Sequence, residues 1–138
     1  MKFLETIKKK FVEKNWRFTK NVRAVSIFLN EQIRPTSART IAKGCGLRVN
    51  LATIYRVCER LEELKVIHKF NEKFIKCSAP ENKKEEHHFL VCEKCGGTEE
   101  IFLNYKNSIS KQLAKEKNFL LKRVELEFHG ICKNCHQR

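Results

Sequence analysis

The stretch Asn50–Cys77, NLATIYRVCERLEELKVIHKFNEKFIKC, joins the pattern of a helix to the pattern of a hairpin. Its asparagine is a good N-cap for a helix whose apolar residues recur at helical spacing. The apolar stripe consists of Ile54, Val57, Cys58, Leu61 and Leu64. The segments VIHKF and FIKC, on either side of NEK, have the composition of two short strands. The stretch therefore predicts a helix followed by a β-hairpin.

Two longer helical patterns precede this stretch. The first carries an apolar stripe at helical spacing, made of Phe3, Leu4, Ile7, Phe11 and Val12. The second begins at Thr19 and is broken by Pro35, because proline lacks the N–H that a helix interior requires. Four of its apolar side chains point inward: Val22, Val25, Phe28 and Leu29.

A short third helix, SARTIAKGCG, fills the gap between them and Asn50. Thr36 or Ser37 caps it, and Gly44 or Gly46 closes it. Three helices followed by a hairpin are typical of a winged helix-turn-helix domain, whose last helix enters the major groove of DNA while its hairpin lies along the backbone. The alternative is a small helical domain with a solvated basic surface.

Charge is distributed unevenly along the chain. Residues 1–79 hold 18 Lys and Arg against 7 Asp and Glu, a net charge of +11, whereas residues 80–138 hold 11 against 9, a net charge of +2. A basic half indicates a polyanionic partner, most often nucleic acid. A generally basic protein without such a partner is the alternative.

The 138 residues suffice for one average domain or two small ones, and small cores need additional cross-links. No apolar run approaches the roughly 20 residues that span a bilayer, and the charged N-terminus is not a secretory signal. We therefore expect a cytoplasmic protein without a membrane partner, in which thiols stay reduced. Seven cysteines cannot all pair within one chain, which favours metal binding over disulfides.

Two CxxC pairs, Cys92 with Cys95 and Cys132 with Cys135, predict a structural zinc site, because zinc prefers a closed tetrahedral set of thiolates. The 36 residues between the pairs must fold into something of their own. A thioredoxin-like redox pair explains one CxxC but not two. A zinc deaminase requires HxE and PCxxC elements, and the sequence has neither.

A second domain is expected over residues 85–138, after a winged-helix domain over 1–79 and a polar linker over 80–84. The segments HHFLVC and TEEIFL predict antiparallel strands, and NYKNSISKQLAKEKN predicts a helix. The segment FLLKRVELEFHG alternates like a third strand, with Val124, Leu126 and Phe128 on one face.

In their order along the chain, RAVSIFL, ATIYRVCERLEELKVIHKF, HHFLVCEKCGGTEEIF and HGICKNC resemble the ferric uptake regulator family. The resemblance implies an α+β fold with an N-terminal winged helix-turn-helix domain and a small C-terminal α/β dimerisation domain holding the four-cysteine zinc. It also implies a homodimer that binds double-stranded operator DNA. Tyr55 and Arg56 should then face DNA, and Thr53 and Arg60 complete the candidate DNA-binding set.

Within the family, the chain most resembles the zinc uptake regulator branch, whose sensory site takes a His and a Cys from the wing and a His and a Glu from the second domain. The matching positions are His68, Cys77, His87 or His88, and Glu100, with Glu99 as a rival to Glu100. A thiolate among nitrogen and oxygen ligands suits zinc and disfavours harder cations. A further site near Arg123 or His129 is not predicted, and Cys45 and Cys58 are expected to be inert.

The resulting hypothesis is a repressor that binds one structural and one regulatory zinc per chain and silences zinc-uptake genes when zinc is plentiful. Three alternatives remain: an iron-, manganese- or peroxide-responsive regulator of the same family, a zinc-stabilised nucleic-acid-binding protein without a switch, and a zinc enzyme. An enzyme needs an open metal position and a nearby general base, and the candidate ligands leave no such position. We therefore expect no catalytic residues and no small-molecule substrate.

Overall fold

The computed structural model describes residues 2–80, 86–103, 106–122, 124 and 126–137. The chain divides into two compact units, Met1–Pro80 (unit 1) and Glu81–Arg138 (unit 2). The predicted linker falls, from residue 81 onward, outside the described residues. None of the described helices has the length and hydrophobicity that spanning a bilayer requires.

Unit 1 combines helices with a three-stranded antiparallel sheet in the order β1–β3–β2. Its elements are α1 (Lys2–Glu13), α2 (Lys20–Glu31), β1 (Thr36–Ser37), α3 (Ala38–Gly44), α4 (Leu51–Glu63), β2 (Ile67–Phe70) and β3 (Lys73–Lys76). The order of helices and hairpin confirms the winged helix-turn-helix prediction. Strand β1 was not predicted, because two residues are too short to show an alternating pattern.

The core of unit 1 is one cluster of buried side chains to which all four helices contribute. All five residues of the predicted α4 stripe are buried, so that prediction is confirmed. The prediction that Val12 belongs to the apolar stripe of α1 was wrong. Val12 is 76% exposed, because it follows the buried Phe11 and therefore points to the next face of α1. Phe28, predicted to point inward, is half-buried and packs against the core and against Gly44, where a Cβ would meet its ring, so that prediction is confirmed.

The three internal helix starts of unit 1 are capped by side chains. The Thr19 hydroxyl accepts the Val22 N–H at 3.3 Å, and the Asn50 Oδ1 accepts the Thr53 N–H at 2.9 Å. Ser37 rather than Thr36 caps α3, which ends at Gly44. Such a cap satisfies an N–H that has no partner within the helix and stabilises it by about 1 kcal/mol.

The wing is the hairpin β2–β3, and its tip is a two-residue turn. Asn71 and Glu72 both adopt left-handed conformations, with φ of 46° and 59°. Positive φ at both central residues is the geometry that matches the twist of the flanking strands. Lys73, predicted in the turn, instead begins β3 and pairs with Phe70 on one side and Ser37 on the other.

Unit 2 contains a three-stranded sheet in the order β5–β4–β6, in which β5 is antiparallel and β6 parallel to β4. Its elements are β4 (Glu86–Cys92), β5 (Thr98–Leu103), α5 (Lys106–Lys117), β6 (Glu127–Gly130) and α6 (Lys133–His136). Strands β4 and β5 and helix α5 confirm the predicted elements. Helix α6 was missed, because one helical turn leaves no periodic pattern.

The predicted third strand of unit 2 is mostly wrong. Residues 119–122 are not a strand, and among the described residues of this segment it is Glu127–Gly130 that pairs with β4. Asn118, with φ of 51°, ends α5, and the Phe119 N–H donates to the Leu113 carbonyl at 3.2 Å. This bond closes the helix end, and Phe119 and Leu120, which follow, are exposed. Of the predicted inner face, Val124 and Leu126 lie outside any strand, and Phe128 is exposed.

Candidate functional site

The four cysteines of the CxxC pairs converge in unit 2, with their sulfur atoms all within 4.8 Å of one another. Cys92 ends β4, and Cys95 lies in the turn that follows. Parallel pairing places Gly130 of β6 opposite Cys92 and so delivers the second pair to the same end of the sheet. Cys132 directly precedes α6, and Cys135 lies within that helix.

The spacing of the sulfurs fits a shared metal ion. The sulfurs of Cys95 and Cys132 are 3.8 Å apart, whereas a disulfide bond is about 2.05 Å long. Two sulfurs about 2.3 Å from a tetrahedral zinc lie roughly 3.8 Å from each other. All four thiols are free. This donor set can hold a structural zinc.

Backbone N–H groups point at the sulfurs. The Cys132 N–H donates to the Cys92 sulfur, and the Gly97 N–H donates to the Cys95 sulfur, each at 3.3 Å. The bond from Cys132 is the main reason why the pKa of Cys92 is lowered to about 6. The pKa of Cys135 is raised to about 12, first by its hydrogen bond with the Cys132 thiol and then by burial. Thiols that share protons in this way are arranged for a cation to replace those protons.

The other three cysteines lie in unit 1, and two of them, Cys45 and Cys58, belong to neither candidate metal centre. Cys58 is buried in α4, and burial raises the pKa of its thiol to about 12, which keeps it protonated and unreactive. Cys45 is half-buried at the end of α3, and its thiol donates to the Ala42 carbonyl at 3.8 Å.

The candidate regulatory ligands of unit 1 lie on the wing. His68 is in β2, opposite Ile75 of β3, and Cys77 follows directly after β3. The Cys77 N–H donates to the Val66 carbonyl at 2.8 Å, which continues the ladder beyond β3. His68 and Cys77 are therefore diagonal neighbours on one face of the hairpin.

The candidate regulatory ligands of unit 2 are His87 on β4 and Glu100 on β5. Their Nδ1 and Oε1 atoms are 2.7 Å apart, and their side chains are only 13% and 6% exposed. Two ligands about 2.0 Å from a tetrahedral zinc lie roughly 3.3 Å apart, so a small opening would admit the ion. The Phe102 ring meets the imidazole of His87 edge-on, with centroids 4.8 Å apart.

The two rival ligands of unit 2 point elsewhere, because neighbouring residues of a strand face opposite sides. His88 is fully buried on the other face of β4, and its Nδ1 accepts the Leu126 N–H at 3.3 Å. The other ring nitrogen of His88 lies 3.8 Å from the Glu86 carboxylate. Glu99 is exposed and pairs with Leu90 rather than with Phe89, the partner of Glu100.

The candidate DNA contacts on α4 lie on several faces. The Tyr55 ring is 39% exposed and packs edge-on against Phe74 of the wing, with centroids 6.2 Å apart. Arg56 is exposed. The Thr53 hydroxyl bonds to the Asn50 side chain at 2.9 Å, and the Arg60 guanidinium lies over the Trp16 ring at 5.7 Å. Thr53 thus also stabilises the start of α4, and Arg60 packs beside α1.

Two observations lie outside the sequence predictions. Phe102 was not singled out, although the register that follows from the β4–β5 pairing, His87 opposite Phe102, brings their rings together. His129 and Glu127 of β6 lie 3.3 Å apart, and both are half-exposed. Arg123 lies outside the described residues.

The fold and the site together indicate a class of protein. A winged helix-turn-helix unit beside a unit whose four cysteines can hold a metal is typical of a metal-binding transcription regulator. The chain matches the ferric uptake regulator family over residues 13–136. It is 31% identical to the ferric uptake regulation protein of Bacillus subtilis (strain 168), over 96% of this chain and 94% of the relative. The chain therefore belongs to the ferric uptake regulator family, whose members are transcription regulators and not enzymes.

Solved structures share the fold. A zinc uptake regulator complexed with zinc and DNA superimposes with a TM-score of 0.84 at 21% identity, covering 99% of this chain and 94% of that one. The crystal structure of holo XcZur superimposes with a TM-score of 0.79 at 22% identity, covering 99% of both chains. The ferric uptake regulator of Helicobacter pylori reaches 0.61 at 16% identity, covering 98% of this chain and 92% of that one.

Proposed function

We propose that this chain is a zinc-responsive, homodimeric transcriptional repressor that acts in the cytoplasm and binds operator DNA when a regulatory zinc is bound. The observation that carries the proposal is the donor set. Besides the four-cysteine cluster, His68, Cys77, His87 and Glu100 together offer two imidazole nitrogens, one thiol sulfur and one carboxylate oxygen. A site of this composition suits zinc, and the thiolate disfavours harder cations.

The two candidate centres have different roles in this proposal. Cys92, Cys95, Cys132 and Cys135 hold a permanent zinc that stabilises unit 2. His68 and Cys77 from unit 1 and His87 and Glu100 from unit 2 share the regulatory ion. When bound there, zinc supplies no chemical step, only a cross-link between side chains.

Regulation follows from a shift in population. A ligand stabilises the conformation to which it binds better, and only by as much as its affinities for the two conformations differ. Shared ligands fix the wing relative to unit 2, and thereby the separation of the two α4 helices of a dimer. The two helices then match successive major-groove faces of a two-fold operator. The structure with the highest TM-score quoted above is a zinc uptake regulator complexed with zinc and DNA, which supports this reading.

The same fold sensing iron is the second candidate. The relative from Bacillus subtilis, at 31% identity, is a ferric uptake regulation protein, as are the relatives from other bacteria. Against iron stands Cys77, a soft ligand at a site where iron sensing favours nitrogen and oxygen donors. Under the zinc proposal the genes that are silenced are those for zinc uptake.

The test combines metal analysis with DNA binding. The purified protein is dialysed against a mild chelator, and zinc per chain is counted before and after. A fluorescent duplex, selected from random sequences by the zinc-loaded protein, reports binding by anisotropy. We expect two zinc ions per chain, of which the chelator removes one together with DNA affinity.

Metal identity is tested in the same assay. Restoring zinc should restore binding at a lower free-metal concentration than ferrous iron or manganese. If ferrous iron restores binding at the lower concentration, the iron reading is right and the zinc proposal is wrong. If DNA affinity is unaffected by the chelator while one zinc leaves, the chain has no switch at that site.

A further inference from the structure

A cleft in unit 1 lies between α4 and the tip of the wing. Of the four DNA contacts predicted from the sequence, Tyr55 is the one that lines it. Its volume is about 320 Å³. Arg39 of α3, Leu51 and Tyr55 of α4, and Glu72 and Lys73 of the wing line it. The cleft thus opens between the two elements that a winged helix-turn-helix domain applies to DNA.

The charge that lines the cleft is cationic. Arg39 and Lys73 are both exposed, and neither forms an ion pair with any residue that the structure describes. The carboxylate of Glu72, the acid in the lining, is paired with Lys69 at 3.3 Å. Two cations that form no ion pair with a described residue therefore line a single space.

Apolar groups line the same cleft. Leu51 and Tyr55 are each 39% exposed, although large apolar side chains are usually buried. They are four residues apart on α4 and so share one face of the helix. Phe74 supports the Tyr55 ring from the wing side. Cations beside an apolar surface complement a DNA backbone, in which anionic phosphates alternate with less polar deoxyribose rings.

The cationic side of the cleft is held by the sheet. Lys73 begins the central strand β3 and is paired on both sides, with Ser37 of β1 and Phe70 of β2. The preceding residue completes the tight turn of the wing. A cation on such a support loses little backbone freedom when it binds an anion, which favours binding.

We propose that this cleft binds the DNA backbone, with Arg39 and Lys73 contacting phosphate and Leu51 and Tyr55 packing against the adjoining deoxyribose. The inference rests on the proposed DNA-binding function and adds a binding site to it. With α4 in the major groove and the wing along the backbone, one strand must pass between them. Contacts to that strand position the protein without reading sequence.

Salt dependence of binding distinguishes phosphate contacts from base contacts. For the zinc-loaded protein, the affinity for a short random-sequence duplex is measured by anisotropy over a range of salt concentrations. Each phosphate contact removed lowers the slope of log affinity against log salt by about 0.9. We therefore expect Arg39→Gln and Lys73→Gln each to flatten the slope by about one. Both should weaken binding by the same factor on random and on selected duplexes.

Control variants separate a local contact from loss of charge or of fold. Lys73→Arg should keep the wild-type slope, and Lys9→Gln, which removes an exposed cation from α1, should change it far less than Lys73→Gln does. Thermal unfolding identifies any variant that has lost its fold. Leu51→Ala should weaken binding to random and selected duplexes alike without changing the slope.

Three results would overturn the inference. The first is an unchanged slope in both Arg39→Gln and Lys73→Gln. The second is a loss confined to the selected duplex, which would indicate base contacts. The third is binding of poly-glutamate that depends on the same two cations more strongly than DNA does, which would assign the cleft to an acidic peptide. If the wild-type protein binds no duplex, the proposed function itself fails.

Discussion

The two units of this chain are stabilised by different means. Unit 1 buries a cluster of 15 residues drawn from its helices and its sheet. Among the described residues of unit 2, only His88, Phe89 and Cys92 are buried, and large apolar side chains such as Leu120 and Ile131 are exposed. A small unit with so little buried apolar surface needs cross-links or a partner surface. Apolar burial therefore stabilises unit 1, whereas unit 2 needs another source of stability, and its four clustered cysteines are placed to supply one by ligating zinc.

The largest predicted effect is the loss of unit 2 when the four-cysteine centre is broken. Binding of a structural zinc is worth about 10–16 kcal/mol in small zinc domains, and that free energy is folding free energy. Cys132→Ser should therefore unfold unit 2 and leave unit 1 folded. The single tryptophan, Trp16, packs against Phe11 in unit 1, so its emission reports that unit alone.

The measurement is circular dichroism together with tryptophan emission. Ellipticity should fall to part of the wild-type value, while the emission maximum stays where it is. Cys45→Ser, at a cysteine outside both candidate centres, is the matched control and should change neither signal. A red-shifted emission in Cys132→Ser would show that the units do not fold independently, and an unchanged ellipticity would show that unit 2 does not need its metal.

A smaller effect is expected from removing apolar groups, and it should differ between the units. Leu61 is fully buried in α4, and Leu61→Ala should cost unit 1 about 2–5 kcal/mol through lost burial and the cavity left behind. Leu120 is 73% exposed, and Leu120→Ala should cost within about 0.5 kcal/mol. Urea unfolding measures the loss of stability in each variant. Ellipticity is followed for both variants, and tryptophan emission is followed as well for Leu61→Ala.

A large cost for Leu120→Ala would mean that Leu120 is covered in solution, as by the second chain of a dimer. Repeating the measurement at several protein concentrations separates that case, because the stability of a dimer rises with concentration. Equal costs in the two variants at low concentration would contradict the comparison between the units.

The smallest predicted effect concerns the start of α4. The Asn50 side chain accepts the Thr53 N–H and also bonds to the Thr53 hydroxyl, both at 2.9 Å. Asn50→Ala removes both bonds and should cost about 1 kcal/mol, whereas Asn50→Asp, also a good cap, should cost less. Thermal unfolding of unit 1 measures both. Equal losses in the two variants would show that the cap is not the cause.

The sequence predicted unit 1 better than unit 2 for a physical reason. The α4 stripe from Ile54 to Leu64 is long and strictly periodic, so its helix, its cap and its buried face all follow from the pattern. Apolar burial leaves such a periodic record in a sequence, whereas metal ligation does not. In unit 2 the alternation after Phe119 suggested a long strand, but the strand found among the described residues there is Glu127–Gly130.

The candidate metal centres also differ in how much of them the sequence could predict. Spacing was enough to pair the four cysteines, because CxxC motifs carry their local geometry with them. Spacing was not enough to choose between His87 and His88. Adjacent residues on a strand face opposite sides of the sheet, and the sequence does not show on which side the carboxylate of Glu100 lies. The register of β4 with β5 places Glu100 within hydrogen-bond distance of His87 and leaves His88 buried elsewhere.

The most direct test of the account is a single substitution, Cys77→Ser, assayed for zinc content and for DNA affinity with and without added zinc. Removing the one soft donor of the regulatory set should leave one tightly held zinc per chain and abolish the gain in DNA affinity that zinc produces, while Cys45→Ser keeps both. Wild-type zinc content and an undiminished zinc-dependent gain in Cys77→Ser would contradict the account.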